Sequence, residues 1–320
     1  AERLMFENRR AVGVIYMHNN ARMRLVARKE VIVSCGAVNS PKLLHLSGIG
    51  PGDLLQTHEI GLVLDQPNVG EHLQDHLGIN YFYRANRPTL NDVLGSWSGR
   101  LAAGIQYLAT RSGPLSLSVN QIGGLTRSHP DSEVVDTQLY CNPVSYHPTG
   151  GNGRKLTKPD PYPGFILSFN PCRPTSEGKI EIRSRDPKLP PRIFSRSLAT
   201  EDDRSQVVAM ARLIGQLQET RAIQSLLSHR PEMDLPHLSD DELLEDFRAR
   251  CGTVYHPCGT CRMGRDSQHA VVDPDLKVHG IENLRVIDAS IFPNITSANT
   301  NAPTIMVAHQ GAKKILRTHR

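Results

Sequence analysis

Short apolar runs separated by turn residues dominate the first part of the chain. Residues 11–16 and 23–26 are rich in β-branched and aliphatic side chains, and the His-Asn-Asn sequence at 18–20 lies between them. This pattern predicts a β-hairpin, because Asn residues tolerate the backbone conformations of tight turns. Residues 31–33 are all apolar, which favours a short strand buried on both faces of a sheet.

A helix is predicted directly after this strand. Ser40 is expected to cap it, Pro41 to occupy its first position and Gly48 to end it. The small residues at 34–37 would form the turn between strand and helix. Such a junction can bring backbone close to a ligand and direct the positive end of a helix toward it. The same pattern also fits an ordinary strand-to-helix turn of an α/β fold.

The middle of the chain alternates strand-like runs with Pro and Gly turns. Residues 137–140, 165–169 and 179–183 have the period-two pattern of half-buried strands, which predicts an antiparallel sheet in a layer separate from the first strands. Residues 146–162 are rich in Gly, Pro and Lys and are predicted to form an exposed loop.

Three helices are predicted in the second half. Capping-box patterns at 200–203 and 239–242 would open the first two. Apolar residues follow the first box at helical spacing, namely Val207, Met210, Ala211, Ile214 and Leu217. Residues 283–288 read as a strand. Pro303 lies near the start of the final helix, whose expected buried face is Ile305, Ala308, Ala312 and Ile315.

Composition narrows the functional classes. The chain of 320 residues is 38% hydrophobic and 22% charged, with a formal net charge of +5. Its apolar runs are all far shorter than the roughly 20 residues of a membrane span, so no span is expected. The basic residues are interspersed with acidic ones, which argues against a nucleic-acid partner. A cytoplasmic protein is expected.

Two groups of side chains suggest a metal or redox site. Cys258 and Cys261 have C-x-x-C spacing, but a second pair is lacking, so the expectation is reduced, structural cysteines. His72, Asp75 and His76 lie close in sequence. The two histidines would share one face only if the segment were helical, so no metal is predicted here.

The segment 254–264 has the pattern most suited to catalysis. It places His256 on a Pro- and Gly-rich turn. Far along the chain, a predicted strand ends at Asp288 and a loop follows it. The sequence Asn301-Ala-Pro-Thr304 then opens the last helix. A neutral imidazole can take a proton from an alcohol, and a helix N-terminus can stabilise an anion. A buried structural histidine and an ordinary helix cap are the alternatives.

Several blocks of the sequence resemble the glucose–methanol–choline (GMC) oxidoreductases. They are residues 36–50, 69–76, 256–263, 286–290 and 299–304, and they are most similar to bacterial choline-dehydrogenase-like and alcohol-dehydrogenase members. The resemblance implies FAD-dependent oxidation of an alcohol to an aldehyde or ketone. His256 matches the family's catalytic histidine, and Asn301 matches the second catalytic position. The positions expected to contact FAD are Gly36, Ala37, Asp288, Ala289, Asn301, Ala302, Pro303 and Thr304.

One sequence feature of the family does not occur in these 320 residues. The strand, G-x-G-x-x-G turn and helix that hold the FAD diphosphate do not occur. The expected fold is therefore α/β plus α+β. Residues 1–70 and 250–320 would form an incomplete Rossmann-like FAD-binding domain, and residues 71–249 a substrate domain with an antiparallel sheet covered by helices. An N-terminal FAD-binding portion is the expected partner, and the chain alone is expected to bind FAD weakly and to be inactive.

The alcohol itself is not specified by the sequence. Asn120, Gln121 and Tyr255 are predicted to line the substrate pocket between the sheet and the flavin. An oxygen-using alcohol oxidase, a hydroxynitrile lyase-like activity and a cofactor-free binding fragment are the alternative functions on the same scaffold.

Overall fold

The computed structural model describes residues 1–118, 120–146 and 158–319. The strands are β1 (Arg3–Glu7), β2 (Arg10–His18), β3 (Ala21–Val26), β4 (Val31–Val33), β5 (Ile49–Gly50), β6 (Leu64–Asp65), β7 (Leu77–Arg84), β8 (Ile122–Thr126), β9 (Thr137–Asn142), β10 (Gly164–Pro171), β11 (Lys179–Glu181), β12 (Arg192–Phe194), β13 (Gly252–Thr253) and β14 (Leu284–Val286). The α-helices are α1 (Gly36–Leu46), α2 (Gly52–Thr57), α3 (Leu90–Gly95), α4 (Trp97–Thr110), α5 (Glu201–Glu219), α6 (Arg221–Gln224), α7 (Asp240–Arg250) and α8 (Asn301–Thr318). Most of the loop predicted at 146–162 lies outside the described residues.

The chain divides into two units. The first contains residues 1–76, 173–200 and 254–320, and the second contains residues 77–172 and 201–253. The predicted middle domain, 71–249, differs from this division because 173–200 belongs to the first unit. Backbone hydrogen bonds hold that segment there: the Ile180 N–H donates to the Gly70 carbonyl at 2.7 Å, and Gly178 and Leu73 exchange hydrogen bonds at 2.8 and 2.9 Å.

In the first unit, two distant segments form a parallel strand pair. β14 lies beside β4, with Leu284 opposite Val31 and Val286 opposite Val33. Because the strands are parallel, their carboxyl ends meet at one edge. The Ser34 hydroxyl there donates to the Ile287 carbonyl at 2.9 Å. This edge brings the start of α1 next to Asp288.

The predicted hairpin is confirmed as β2 and β3, and β1 adds a third antiparallel strand. Its turn residues Asn19 and Asn20 have φ of 48° and 63°. Two successive positive φ angles define the turn that matches the natural twist of a hairpin, and Asn accepts them more readily than most residues.

The predicted start of α1 was wrong. The helix begins at Gly36, so Ser40 and Pro41 lie inside it. Proline has no N–H to donate to the carbonyl four residues earlier, which is that of Ala37. The Thr260 hydroxyl donates to the Ala37 carbonyl at 2.6 Å instead. A side chain from far along the chain thus compensates for the proline.

The second unit is built on an antiparallel five-stranded sheet. Its strand order is β13-β7-β10-β9-β8, and the whole of β10 is buried. Helix α5 buries Val207, Met210, Ala211 and Ile214, as its apolar spacing predicted, while Leu217 is only half-buried. The capping box at Ser239 opens α7 as predicted. The run at 179–183 does not join this sheet, because β11 pairs with β12 in the first unit.

The predicted buried face of α8 was wrong at three of its four positions. Ile305 is 62% exposed, and Ala308 and Ala312 are exposed. Ile315 is half-buried and packs against the core. The buried position is Gly311, where an added Cβ would lie 2.9 Å from the Ile287 side chain. The helix therefore approaches the core through its glycine. Of the helices in the part of the chain that the structure describes, none has the length and apolarity of a membrane span.

Candidate active site around His256

Backbone hydrogen bonds anchor the segment that carries His256 on both sides. Gln74 and Cys258 exchange two bonds, at 3.1 and 2.9 Å. On the other side, the Cys261 N–H donates to the Ser290 carbonyl and the Met263 N–H to the Ile291 carbonyl, both at 2.8 Å. The loop of His256 is thus held between residues 72–76 and the turn that follows β14.

Gly259 makes this close approach possible. Its φ is +86°, and a Cβ placed on it would lie 2.3 Å from the His72 carbonyl oxygen. A side chain would therefore face both an unfavourable backbone conformation and a clash with backbone. Glycine is required here for packing, three residues from the predicted catalytic histidine.

His256 is 7% exposed and contacts three neighbouring residues. Its backbone N–H donates to Asp75 Oδ1 at 2.9 Å. Its ring Nδ1 lies 3.0 Å from Nδ1 of His76, and its Nε2 lies 3.1 Å from the amide nitrogen of Asn299. Burial lowers the pKa of His256, and the Asp75 charge opposes this only partly. The imidazole is consequently neutral at neutral pH and able to accept a proton.

The carboxylate of Asp288 organises the junction between the parallel strands and α1. It accepts hydrogen bonds from the Gly36 N–H at 2.9 Å, the Ser40 hydroxyl at 2.5 Å and the Ser290 N–H at 2.8 Å. The structure therefore brings together the predicted cofactor positions Gly36 and Asp288. These contacts give Asp288 a structural role as the acceptor at the start of α1.

The first residues of α8 lie at the surface. Within the described part of the chain, the N-cap residue Thr300 makes no side-chain capping bond. Asn301 and Ala302 are exposed, while Pro303 and Thr304 are half-buried. The first N–H groups of a helix attract anions, and the attraction is strongest where a capping side chain does not compete. This end of α8 can therefore hold an anionic group.

The residues predicted to line the substrate pocket lie in different units. Tyr255 belongs to the first unit, is 83% exposed and has φ of 65°. Asn120 and Gln121 are exposed residues of the second unit. Their contact with a substrate stays a prediction.

His72 has a carboxylate neighbour, and the thiols of Cys258 and Cys261 are protonated. His72 Nδ1 lies 2.6 Å from a carboxylate oxygen of Glu177. Burial raises the pKa of Cys258 to about 12 and that of Cys261 well above its ordinary value, so both remain protonated thiols at neutral pH. Across residues 1–118, 120–146 and 158–319, no group of three or more His, Cys, Asp or Glu side chains could hold a metal ion.

Sequence reasoning did not identify two of the residues around His256. The sequence pattern suggests His76 only as a possible metal ligand, and it places Asn299 only in the block that includes Asn301. The available signal was the position of His76 beside Asp75 in a block that matched the family. Nothing in the sequence indicated that Asn299, rather than Asn301, contacts the imidazole.

Most of the chain matches sequence models of one enzyme family. Two sequence models described as GMC oxidoreductase match residues 1–78 and 174–308. The chain belongs to the GMC oxidoreductase family. It is 39% identical to the alcohol dehydrogenase [acceptor] of Pseudomonas putida, with 99% of this chain and 57% of that protein covered. It is 36% identical to the oxygen-dependent choline dehydrogenase of Pseudomonas fluorescens, with 98% and 54% covered.

Solved structures agree with this assignment. A formate oxidase superposes with a TM-score of 0.89 and 28% identity over 99% of this chain and 60% of that one. A pyridoxine 4-oxidase from Mesorbium loti superposes with a TM-score of 0.80 and 26% identity over 98% and 56%. The structure thus has the GMC fold, and the chain spans 54–57% of the length of the two curated relatives.

Proposed function

We propose that this chain forms the part of an FAD-dependent alcohol-oxidising enzyme that supplies the catalytic base. The observation that carries the proposal is the buried, neutral His256, whose Nε2 lies 3.1 Å from an amide nitrogen. A side-chain amide nitrogen only donates, so Nε2 is an acceptor. A ring nitrogen that accepts a hydrogen bond from an amide can also accept one from the hydroxyl of an alcohol. The names of the two curated relatives support an alcohol substrate.

The residues at the predicted cofactor positions fit FAD. A Cβ placed on Gly36 would meet no atom of the described residues within 4 Å, so there is room for a ligand beside this backbone. The uncapped start of α8 suits a flavin ring, because the ring becomes negatively charged on reduction. The residues that would hold the cofactor are Gly36, Ala37, Asp288, Ala289, Asn301, Ala302, Pro303 and Thr304. That the isolated chain binds FAD weakly stays a prediction, which flavin absorbance after dialysis tests.

His256 would take the hydroxyl proton of the alcohol onto Nε2. The electron pair of the O–H bond stays on the substrate oxygen, and the imidazole becomes an imidazolium. FAD, when bound, would accept the hydride from the carbinol carbon. Asn301, exposed at the start of α8, would hydrogen-bond the substrate oxygen without competing for its proton.

An oxidase, with oxygen as the electron acceptor, is a second candidate function, and the names of some relatives favour it. One curated relative is called oxygen-dependent, and the two structures above are called oxidases. Oxygen consumption on addition of alcohol distinguishes an oxidase from a dehydrogenase that needs another acceptor. A cytoplasmic location is also proposed, and cell fractionation tests it.

Rapid-mixing measurement of flavin reduction in the complete enzyme tests the proposal. His256→Ala should slow reduction by roughly 10²- to 10⁴-fold, the usual contribution of a general base. Asn301→Ala should cost less, because it removes a hydrogen bond and leaves the base. His309→Ala, at an exposed position further along α8, is the matched control. Unchanged reduction in His256→Ala would show that another group is the base.

A further inference from the structure

His76 is the ring that lies against the candidate base. It is fully buried, at 0% exposure, and its Nδ1 is 3.0 Å from Nδ1 of His256. The two rings meet edge to face, with their centroids 5.2 Å apart and an interplanar angle of 86°. Two nitrogens at this distance share one proton, so one ring donates and the other accepts.

The other contact of His256 determines the direction. Asn299 donates its amide N–H to Nε2 at 3.1 Å, so Nε2 carries a lone pair. A neutral imidazole with a lone pair on Nε2 has its proton on Nδ1. His256 therefore donates from Nδ1, and His76 accepts.

We propose that His76 is a positioning residue, which accepts the Nδ1 proton of His256 and so holds the Nε2 lone pair toward the substrate alcohol. This inference rests on the proposed function, in which Nε2 is the base. It also gives Asn299 a role: its N–H occupies the position at Nε2 that the substrate hydroxyl takes when it binds.

The same hydrogen bond would stabilise the product of proton transfer. Once Nε2 has taken the proton, His256 carries a positive charge and both ring nitrogens are donors. The bond from Nδ1 to His76 is then charge-assisted and stronger. Asp75 is the charged group beside this pair, but the hydrogen bond it makes to His256 goes to the backbone N–H, not to the ring. A neutral ring therefore orients the base, and the carboxylate anchors its loop.

Two substitutions separate positioning from packing. His76→Asn keeps an acceptor oxygen near the place of Nδ1, whereas His76→Leu removes the acceptor and leaves an apolar side chain. Nitrogen-15 NMR of labelled histidine distinguishes a ring nitrogen with a lone pair from one with a proton. The measurement is made on this 320-residue chain, and loss of a signal in His256→Gln assigns the resonances of His256.

The Asn299 amide also holds the lone pair on Nε2, so the His76 substitutions are compared in an Asn299→Ala chain. Asn299→Ala alone and with His76→Asn should both show His256 protonated on Nδ1, and with His76→Leu it should show a mixture of tautomers. An Nε2–H tautomer in the parent would overturn the inference, as would a spectrum that His76→Leu leaves the same as that of Asn299→Ala alone. If the variant with His76→Leu does not fold, the one with His76→Asn decides alone: Nδ1 protonation supports the proposal and Nε2 protonation overturns it.

Kinetics of the complete enzyme then connect the tautomer to catalysis. His76→Leu should slow flavin reduction roughly 10- to 100-fold, the effect of losing one hydrogen bond to a charged group. The acid limb of its pH–rate profile should move to lower pH, because the His256 cation has lost its acceptor. His76→Asn should restore most of the rate. If His76→Leu changes the tautomer but not the rate, the inference about His76 stands, and the proposal that His256 is the base is refuted.

Discussion

The buried histidine of α1 should make the stability of this protein depend on pH. His45 is fully buried, and its Nε2 donates to the Val69 carbonyl at 2.9 Å. Its Nδ1 has no hydrogen-bond partner among the residues that the structure describes. Protonation would place a charged ring in the core with an unsatisfied donor at Nδ1, so burial lowers the pKa of His45 from 6.5 to about 4.

The sign and size of the effect follow from this shift. The folded-state pKa lies below the unfolded one, so the unfolded chain binds the proton more readily. The contribution of His45 to stability is therefore fully present above about pH 6.5 and is lost as the pH drops toward 4. One proton over 2.5 pH units corresponds to about 3 kcal/mol at 1.36 kcal/mol per unit. Burial also lowers the pKa of His256, which adds a loss of the same sign.

Urea unfolding followed by far-UV circular dichroism between about pH 7 and pH 4.5 measures this loss. His45→Gln keeps an N–H that can reach the Val69 carbonyl and has no titrating group in this range. The difference in unfolding free energy between the parent and His45→Gln should shrink by about 1.4 kcal/mol per pH unit below pH 6.5. His309→Gln, at an exposed site, controls for replacing a histidine by glutamine. Parallel curves for the parent and His45→Gln would refute the reasoning.

Two further substitutions test packing near the site. Gly259→Ala should lower the free energy of unfolding by about 1–3 kcal/mol, because a Cβ at this positive φ clashes with the His72 carbonyl. Thermal unfolding measures the change. Gly252→Ala is the control, because a Cβ there meets no atom of the described residues within 4 Å. Arg285 and Glu30 form an ion pair whose side chains are only 1% and 7% exposed. Arg285→Met should therefore lower the free energy of unfolding in urea by about 3–5 kcal/mol. Adding Glu30→Leu should recover part of this loss. In Arg285→Met the Glu30 carboxylate keeps its contact with His319 Nε2 at 3.0 Å but loses the guanidinium. Equal costs for the single and double variants would show that this loss is not the cause.

Sequence alone determined the features that depend on neighbouring residues. Asn19 and Asn20 accept the positive φ angles of the hairpin turn, and Ser239 and Glu242 form their capping box within a single turn of backbone. The apolar spacing of α5 placed its buried face correctly. Such features need no knowledge of the fold, because the interacting groups lie within a few residues of each other.

Tertiary structure decided the features that join distant segments. Helix α1 begins at Gly36 because the Asp288 carboxylate, 252 residues away, accepts its N–H. The buried face of α8 is set by the approach of Gly311 to Ile287, since a glycine lets the helix come closest there. His256 was identified from its motif, but its ring partner His76 lies 180 residues earlier. Only the folded chain brings such groups within hydrogen-bond distance, so local patterns could not reveal the partner.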